Sequence, residues 1–506
     1  MQHDARWVDG HMTFVSLPDA LAAHARAAPE RIAVVIADDA CTYGELCELI
    51  ERATAMLAAQ GIAAGDRVAW LGLNHSGQLV ALAALMRLGA ILVPLNYRLA
   101  AAELQAIVGH AGAAAVIADE AFGDMAAAFG VRVIPRAALT ATDAADAADR
   151  RGRALPSIGP DTPALLVYTS GTTGQPKGAV HTHAGLWWNA QASIAMHEIT
   201  AGDRVLTVLP LFHVGGLCIQ TIPALYAGAA VHLHPRFDPG AWLAAVDALK
   251  PTISLMVPAT MRAVIEHPRW QSTGLQSLRI LGAGSSTIPD ALIEAFHARG
   301  VPVCQIYGAT ETGPVSIVLR ADEAMSHVGA AGRPVPGCAI RLVDREGRDA
   351  TGDSVGEILV SAPNVMRGYW REPSHPSFVG GWFRTGDLAR RDADGFYTVV
   401  GRVQDMIISG GENIYPAEIE NLLAGIPEIA DAAALGVPDP QWGEVPVAIV
   451  VLRPGAALSA EAILARLDGR LARFKQPKRI VFRATLPRNA MGKVQKRMLI
   501  DELTRG

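Results

Sequence analysis

Cysteine is scarce in this sequence: five residues among 506, odd in number and scattered, with no C-x-x-C pair. This pattern argues against a disulfide framework or a zinc site and is typical of a reducing compartment. The N-terminus carries charged residues and no apolar h-region, so no secretory signal is expected. The longest apolar stretch, residues 79–95, is interrupted by Arg87 and predicts a buried helix followed by a strand. We therefore predict a cytoplasmic protein without a transmembrane segment.

An excess of charge of either sign is also missing, because 44 basic residues face 49 acidic ones and leave a net charge of −5. Such a balance gives no overall attraction to nucleic acid or anionic lipid. Residues 471–500 are an exception, with nine Lys or Arg and no Asp or Glu. Only Phe474 and Phe482 interleave with these charges, which makes nucleic acid the weaker interpretation. We expect no nucleic-acid partner.

Half of the residues are hydrophobic, and the length allows two to four compact units. Strand-like and helix-like segments alternate along the chain: residues 31–36 and 67–71 are expected as strands, and residues 43–59 as a helix. This alternation predicts an α/β protein with largely parallel sheets.

Two His-x-His pairs, His181/His183 and His232/His234, are expected on strands, which would place both rings of a pair on one face. No cluster of carboxylates or cysteines accompanies either pair in the sequence. We therefore interpret both pairs as structural.

The most informative segment is residues 168–178, Y-T-S-G-T-T-G-Q-P-K-G, which follows a short apolar run at 163–168 that predicts a buried strand. Glycines let backbone N–H groups approach an anion, the hydroxyls add donors, and the lysine adds a positive charge. The residues expected to hold phosphate are Thr169, Ser170, Gly171, Thr172, Thr173, Gly174 and Lys177. The spacing is not that of a Walker A loop. A flexible surface turn is the alternative for such a composition.

A second loop, Y-G-A-T-E at 307–311, follows a strand predicted over 301–306. If it faces the phosphate loop, Tyr307 can pack on an adenine ring and Thr310 can donate to a phosphate. Glu311 can hold a Mg²⁺ ion that bridges phosphate oxygens. In W-F-R-T-G-D at 382–387, Asp387 can accept from both hydroxyls of a ribose. Ordinary turns are the alternative interpretation of both loops.

Together these motifs resemble, in order and spacing, those of the adenylate-forming superfamily, which includes acyl-CoA synthetases, peptide-synthetase adenylation domains and luciferases. Residues 402–420, R-V-Q-D-M-I-I-S-G-G-E-N-I-Y-P-A-E-I-E, resemble the acyl-CoA synthetase branch. The resemblance implies an α/β fold with a large N-terminal domain of several subdomains, residues 1–402, with mixed and parallel sheets. A small, mobile α+β lid, residues 403–506, would follow it.

The resemblance also implies roles for single residues. Lys493, in P-x-x-x-x-G-K at 487–493, would reach both the substrate carboxylate and the α-phosphate and offset the repulsion between these two anions. The expected catalytic residues are Lys493, Thr310, Glu311 and Lys177. Further nucleotide contacts are expected from Gly284, Ser285, Tyr307, Gly308, Asp387, Arg402 and Asn413. Expected acid-lining residues are His213, Gly282 and Gly308; expected CoA contacts are Ser409, Gly410 and Gly411; and the expected hinge is Gln404, where the family usually carries Asp or Lys.

The implied reaction is an ATP-dependent ligation of a fatty or aryl acid to coenzyme A. The acid is first activated to acyl-AMP with release of pyrophosphate, and the CoA thiol then displaces AMP. ATP, Mg²⁺ and CoA are the implied cofactor and co-substrates, and a homodimer is left open. The alternatives are a free-standing enzyme that loads a carrier protein, a malonate-type ligase suggested by Arg262, and a nucleotide-binding protein without catalysis.

Overall fold

The computed structural model describes residues 13–37, 39–141, 155–170, 176–372, 374–488 and 493–505. Its strands, in chain order, are β1 (Ile32–Ile36), β2 (Asp39–Thr42), β3 (Arg67–Leu71), β4 (Ile91–Pro94), β5 (Ala115–Ala118), β6 (Arg132–Pro135), β7 (Pro163–Ser170), β8 (Pro176–Thr182), β9 (Arg204–Thr207), β10 (Ala230–Leu233), β11 (Ile253–Met256), β12 (Ile280–Gly284), β13 (Val303–Tyr307), β14 (Ile317–Val318), β15 (Arg333–Pro334), β16 (Ala339–Val343), β17 (Gly356–Ser361), β18 (Gly368–Tyr369), β19 (Phe378–Val379), β20 (Trp382–Arg391), β21 (Tyr397–Arg402), β22 (Ile407–Ser409), β23 (Glu412–Ile414), β24 (Ile429–Asp439), β25 (Gly443–Leu452) and β26 (Arg479–Phe482).

The α-helices, in chain order, are α1 (Leu17–Ala27), α2 (Tyr43–Ala59), α3 (Ser76–Leu88), α4 (Ala101–Ala111), α5 (Gly123–Ala127), α6 (His183–His197), α7 (Val214–Gly216), α8 (Ile222–Ala227), α9 (Pro239–Leu249), α10 (Pro258–Ile265), α11 (Asp290–His297), α12 (Ala321–Ala324), α13 (Pro416–Ala424), α14 (Ala460–Leu467) and α15 (Lys496–Arg505). A π-helical turn, Leu217–Thr221, lies between α7 and α8.

Two large sheets form the N-terminal domain. One has nine strands in the order β15-β14-β13-β12-β11-β9-β10-β1-β2, and the other has seven in the order β18-β8-β7-β4-β3-β5-β6. Central strands are parallel in both, whereas β2, β8, β14, β15 and β18 run antiparallel to their neighbours. An antiparallel sheet of β16, β17, β19, β20 and β21 follows, and the C-terminal domain has its own sheet of β22 to β26. The predicted α/β fold with mixed and parallel sheets and a small C-terminal domain is confirmed.

Local sequence explains why helix α2 starts where it does. The Thr42 hydroxyl accepts from the Glu45 N–H at 3.2 Å, and the Glu45 carboxylate accepts from the Thr42 N–H at 2.8 Å. This capping box satisfies two backbone donors at the helix start. Leu46, Ile50 and Leu57 recur on one face and are buried in the main core. The predicted helix at 43–59 and the strands predicted at 31–36, 67–71, 163–168 and 301–306 are confirmed, with ends shifted by at most two residues.

The junction between the two domains lies in a short connection. Strand β21 ends at Arg402, a 3₁₀ turn spans Val403–Asp405, and the C-terminal sheet begins with β22. The lid also docks on the body, because Asn421 Nδ2 donates to Asp290 Oδ2 at 3.0 Å and Arg453 pairs with Glu266. The boundary between residues 402 and 403 stays a prediction. Among the described residues, none of the helices combines the length and apolar character that crossing a membrane requires.

The prediction that each His-x-His pair lies on one strand is wrong. His181 is on β8, but His183 is the first residue of α6. His232 is on β10, but His234 lies beyond the end of that strand. Each strand ends before the second histidine of its pair, so the two rings do not share a strand face.

We expect Thr42→Ala to destabilise the N-terminal domain by about 1 kcal/mol, because α2 loses the side-chain acceptor at its first turn. Thr42→Ser, which keeps the hydroxyl, is the matched control and should melt with the wild type. The measurement is the Tm of the first calorimetric transition. Equal Tm values for all three proteins would show that the capping box does not stabilise α2.

Candidate active site

The carboxylate of Asp387 joins two other residues that the sequence assigned to nucleotide binding. Asp387 and Arg402 lie opposite each other on β20 and β21, and Arg402 Nε donates to Asp387 Oδ1 at 2.7 Å. The Tyr307 hydroxyl, at the end of β13, donates to Oδ2 at 3.0 Å. Asp387 is 8% exposed. A carboxylate offers about four acceptor positions, so two hydrogen bonds leave room for ribose hydroxyls.

The charge states of this group follow from its geometry. The nearby Asp387 carboxylate, against the effect of burial, raises the pKa of Arg402, which remains a cation. Burial, followed by the Asp387 charge, raises the pKa of Tyr307 well above its ordinary value, so its hydroxyl remains a donor. The site therefore holds one fixed carboxylate between two fixed donors.

A second network starts at Lys177. Its Nζ lies 2.7 Å from His375 Nε2 and 3.9 Å from a carboxylate oxygen of Glu372. It also lies 5.3 Å from the centre of the Tyr369 ring, which is a cation–π arrangement. The Tyr369 hydroxyl donates to Glu311 Oε1 at 2.7 Å. Tyr369 thus connects the lysine of the phosphate loop to the carboxylate predicted to hold Mg²⁺.

The protonation state of His375 can be assigned from its contacts. A lysine ammonium only donates, so Nε2 must accept from Lys177. The Ser377 N–H also lies 3.2 Å from Nδ1, but a neutral ring accepts at one nitrogen only. The charge-assisted contact is the shorter and the stronger, so we assign the proton to Nδ1. Burial, and then the charge of Lys177, lowers the pKa of His375.

The loop that carries Thr310 and Glu311 is tightly constrained. A Cβ at Gly308 would lie 1.6 Å from the Pro314 carbonyl oxygen, so only glycine fits there. Residues Thr310–Thr312 form a single 3₁₀ turn. The buried Asn364 side chain donates to the Thr312 carbonyl at 3.0 Å. These contacts hold Thr310, which is buried, and Glu311 in one arrangement.

His213 lies at the start of the expected acid pocket. The Gly215 N–H donates to His213 Nδ1 at 3.0 Å, so the proton of the neutral ring is on Nε2. Burial, with a smaller contribution from the charge of Lys493, lowers the pKa of His213 to about 4. A Cβ at Gly215 would lie 3.0 Å from His213 Nδ1 and 3.7 Å from Ser285 Oγ, so these side chains are neighbours. At neutral pH His213 offers an uncharged N–H donor.

The C-terminal domain brings Lys493 to the same place. Its loop is closed by the Gln495 N–H, which donates to the Pro487 carbonyl at 2.8 Å. Loss of solvation is the largest effect on its ammonium and lowers its pKa, and the charge of Arg402 acts in the same direction. The charges that oppose this shift are those of Asp387 and Glu311. The residue is nonetheless exposed, so protein surrounds the ammonium without sealing it from water.

Other predicted residues lie apart from this group or outside the described residues. Gln404 is exposed in the turn between the domains. Asn413 accepts from Arg345 at 3.1 Å. The three expected CoA contacts are Ser409, Gly410 and Gly411. Ser409 is the last residue of β22, and Gly410 and Gly411 form the turn to β23. The Gly410 N–H donates to the Trp442 carbonyl at 2.8 Å. The positions outside the described part of the phosphate loop are Gly171, Thr172, Thr173, Gly174 and the Ser170 side chain.

Nearer the expected pocket and loop, Thr169 Oγ1 lies 3.5 Å from the Lys177 carbonyl. Gly284 approaches β13 closely, because a Cβ there would lie 2.5 Å from the Ile306 carbonyl oxygen. Gly282 lies beside the side chain of Gln220. Sequence reasoning did not single out Tyr369, His375 or Asn364. These three residues lie outside the motifs from which the site was predicted. Tyr369 comes beside the phosphate loop through the pairing of β18 with β8.

The donor set fits Mg²⁺ held together with a nucleotide. Within the described ranges, no group of three or more His, Cys, Asp or Glu side chains is arranged to hold a metal ion. Mg²⁺ in nucleotide sites is held by one or two carboxylates, by phosphate oxygens and by water. Glu311 supplies one carboxylate, of which one oxygen is oriented by Tyr369.

Known protein families and proteins match this chain over most of its length. A family model described as "AMP-binding enzyme" matches residues 21–370, and one described as "AMP-binding enzyme C-terminal domain" matches residues 418–493. The indoleacetate–CoA ligase of Aromatoleum aromaticum is 45% identical over 486 residues, which cover 94% of this chain and 95% of the relative. A feruloyl-CoA synthase of Amycolatopsis sp is 41% identical over 474 residues, covering 93% and 96%.

A solved structure is similar over nearly the whole chain. The o-succinylbenzoate CoA synthetase from Bacillus subtilis, in complex with its acyl-adenylate intermediate, has a TM-score of 0.86 at 33% identity and covers 96% of this chain and 98% of that chain. The same synthetase in complex with ATP and a magnesium ion has a TM-score of 0.85 at 33% identity, covering 95% and 98%.

The contact between Lys177 and His375 predicts a pH effect. Because the pKa of His375 is lowered, its neutral form persists below pH 6.5, and further acidification places two cations side by side. We expect His375→Gln, which can accept from Lys177 but cannot be protonated, to retain more pyrophosphate-exchange activity than the wild type below that pKa. The measurement is the ratio of variant to wild-type rates from pH 5 to pH 8, in which protonation of ATP cancels.

His267→Gln, a change in a histidine that follows α10 and accepts from the Arg269 N–H, is the control. Its rate ratio to the wild type should stay constant over the same pH range. A His375→Gln ratio that also stays constant would mean that His375 does not titrate against Lys177.

Proposed function

The chain belongs to the AMP-binding enzyme family and is an AMP-forming acid–CoA ligase, and from this premise we propose that its acid is an aryl monocarboxylate. One observation carries the proposal: the relatives of 45% and 41% identity are named for indoleacetate and feruloyl substrates, both of which are aryl acids. The surroundings of Gly282, an expected acid-lining residue, support it, because Leu255 and Ile306 beside it belong to a buried apolar cluster. That cluster includes Ala192, Met196, Leu209, Ile219, Leu255 and Ile306.

The reaction has two displacements. In the first, a carboxylate oxygen of the acid forms a bond to the α-phosphorus of ATP, the bond from that phosphorus to the bridging oxygen breaks, and pyrophosphate leaves. In the second, the CoA thiol loses its proton and its sulfur bonds to the acyl carbon, while the carbon–oxygen bond to AMP breaks. No protein nucleophile is required, so we assign the rate enhancement to positioning and charge stabilisation.

We propose that the two networks divide the ATP molecule between them. Tyr307, Asp387 and Arg402 would bind the adenosine, with Asp387 accepting from ribose hydroxyls. Lys177 and Thr310 would bind the phosphates. Glu311 would hold Mg²⁺, which when bound neutralises charge on the phosphate oxygens.

The acid would bind with its carboxylate between His213 and Lys493. The neutral Nε2–H of His213 can donate to one carboxylate oxygen without adding charge. The Lys493 ammonium would then offset the repulsion as the carboxylate approaches the α-phosphate, and it would stabilise the charge that develops there. This assignment depends on the lid position seen here, in which Arg402, Asp387 and Glu311 act on Lys493.

We propose that the lid moves between the two displacements about the turn at Gln404. In the position described, Gly410, the middle residue of the three expected CoA contacts, packs beside Trp442 within the lid. Among the described residues, polar docking contacts on the body are made by Asn413, Asn421 and Arg453 of the lid. Such contacts can be exchanged for water at small cost, which suits a domain that must release and rotate.

We expect Lys493→Ala to lower acyl-adenylate formation by about 10²- to 10³-fold, because the charge opposite the α-phosphate is lost. Thioester formation from supplied acyl-AMP and CoA should change little. The two half-reactions are measured separately, by pyrophosphate exchange and by CoA consumption. Lys478→Ala, an exposed lysine of the same basic segment, is the control and should leave both rates unchanged. Equal losses in both half-reactions would remove Lys493 from the adenylation step.

A pyrophosphate-exchange panel tests the acid class. The panel contains arylacetates, cinnamates, benzoates, fatty acids of three lengths and malonate, with CoA and a carrier protein compared as acceptors. We expect the highest kcat/KM for arylacetates or cinnamates and transfer to CoA. A preference for fatty acids or malonate would contradict the aryl proposal, and transfer only to the carrier protein would contradict CoA as the acceptor.

A further inference from the structure

Gln220 is a buried amide whose hydrogen-bonding groups are unused. Its side chain is 2% exposed. Neither its Oε1 nor its Nε2 has a hydrogen-bond partner among the described residues. Burial of an amide without partners costs free energy, so native proteins rarely retain one without a function.

The backbone around Gln220 is irregular and firmly held. Gln220 belongs to the π-helical turn Leu217–Thr221, and such turns are frequent at functional sites. The Asn189 side chain donates to the Cys218 carbonyl at 2.7 Å, and the Ser193 hydroxyl donates to the Ile219 carbonyl. The Thr221 hydroxyl donates to the Gly216 carbonyl at 2.6 Å. Side chains thus fix carbonyls in the widened turn, and the direction of Gln220 is set by the scaffold.

Gln220 points at Gly282, which the sequence assigned to the acid pocket. A Cβ at Gly282 would lie 2.7 Å from Gln220 Nε2, 2.9 Å from Leu255 Cδ1 and 3.2 Å from Ile306 Cδ1. The amide therefore occupies the space that a side chain on β12 would fill. Its other neighbours there are apolar, which excludes them as hydrogen-bond partners.

Gln220 lies on the same segment as His213, seven residues further along the chain. The segment begins with the short helix α7 and continues in the π-helical turn, so about two helical turns separate the two residues. An aryl acid whose carboxylate lies at His213 would extend its ring along this segment toward Gln220. The relatives named above act on acids whose rings carry a polar group, an indole N–H or a phenolic hydroxyl.

We propose that Gln220 determines substrate specificity by hydrogen bonding to an N–H or hydroxyl group carried by the substrate's aromatic ring. This inference rests on the proposed function, in which an aryl acid fills the pocket beside His213. The amide both donates and accepts, so it can bind either group. The acid class is thereby narrowed to aryl acids with a polar group at the ring edge.

Matched substrate pairs test the inference on the unmodified protein. One pair is indole-3-acetate and 1-naphthylacetate, and the other is 4-hydroxycinnamate and cinnamate. In each pair the rings are similar in size and only the first member has the polar group. We expect kcat/KM for pyrophosphate exchange to favour the polar member of at least one pair by about tenfold or more. Equal values within both pairs would overturn the proposal.

Gln220→Leu should abolish that preference. The ratio of kcat/KM within the preferred pair should fall to about one, because the polar acid loses its partner and the apolar acid gains an apolar contact. Gln105→Leu, the same change at an exposed position of α4, should keep the wild-type ratio. Gln220→Met repeats the test with a more flexible side chain if the leucine variant does not fold.

Thermal stability supplies a readout that does not depend on turnover. Replacing an unpaired buried amide by an apolar side chain of similar volume removes a desolvation cost, so Gln220→Leu should melt at or above the wild-type Tm. A clearly lower Tm would show that the amide is already satisfied in the free protein and would contradict the proposal.

The outcomes separate this inference from the proposed function. If the wild type activates no aryl acid, the aryl assignment fails. If it activates aryl acids and Gln220→Leu keeps the wild-type ratio within the preferred pair, the aryl assignment stands and the role of Gln220 fails.

Discussion

The pairing of Asp387 with Tyr307 and Arg402 is the constraint on which the arrangement of this site depends. A carboxylate that is 8% exposed must be compensated, and its two partners come from different parts of the fold. Tyr307 ends a central strand of the nine-stranded sheet, whereas Arg402 is the last residue before the turn that leads to the lid. One carboxylate therefore relates the end of β13 in the body to the start of the lid, and Lys493 reaches this group from the other end of the lid.

Elements with strong local signals could be predicted from the sequence. Helix α2 spans the predicted residues 43–59, and the structure shows the local features that favour it: a capping box of Thr42 and Glu45 and apolar residues that recur on one face. The histidine pairs show where such reasoning stops. Strand β8 ends at Thr182 because that residue pairs with Pro163 and its side chain also caps α6. The end of β8 therefore depends on its pairing with β7. The alternation of polar and apolar residues within 176–183 does not show this pairing.

In the candidate site, too, some residues could be predicted from the sequence and others could not. Residues inside motifs, such as Tyr307, Glu311 and Asp387, could be assigned from their order along the chain. The residues that orient them could not: Tyr369 contacts Glu311 across 58 positions and His375 contacts Lys177 across 198. Gln220 was missed for another reason. Its surroundings, L-C-I-Q-T, have the composition of an ordinary apolar helix, and a widened turn leaves no compositional mark.

The widened turn at Leu217–Thr221 has a consequence for how related enzymes could diverge. A π-helical turn holds one residue more than an α-helical turn would, so loss of a single codon there would restore a regular helix. Residues on either side of the deletion would keep nearly the same directions, because the turn would lose only the extra residue that widens it. A different side chain would then face Gly282, while the two sheets would keep their positions. Substrate range could change in this way through one small deletion, without a substitution at any residue that contacts ATP.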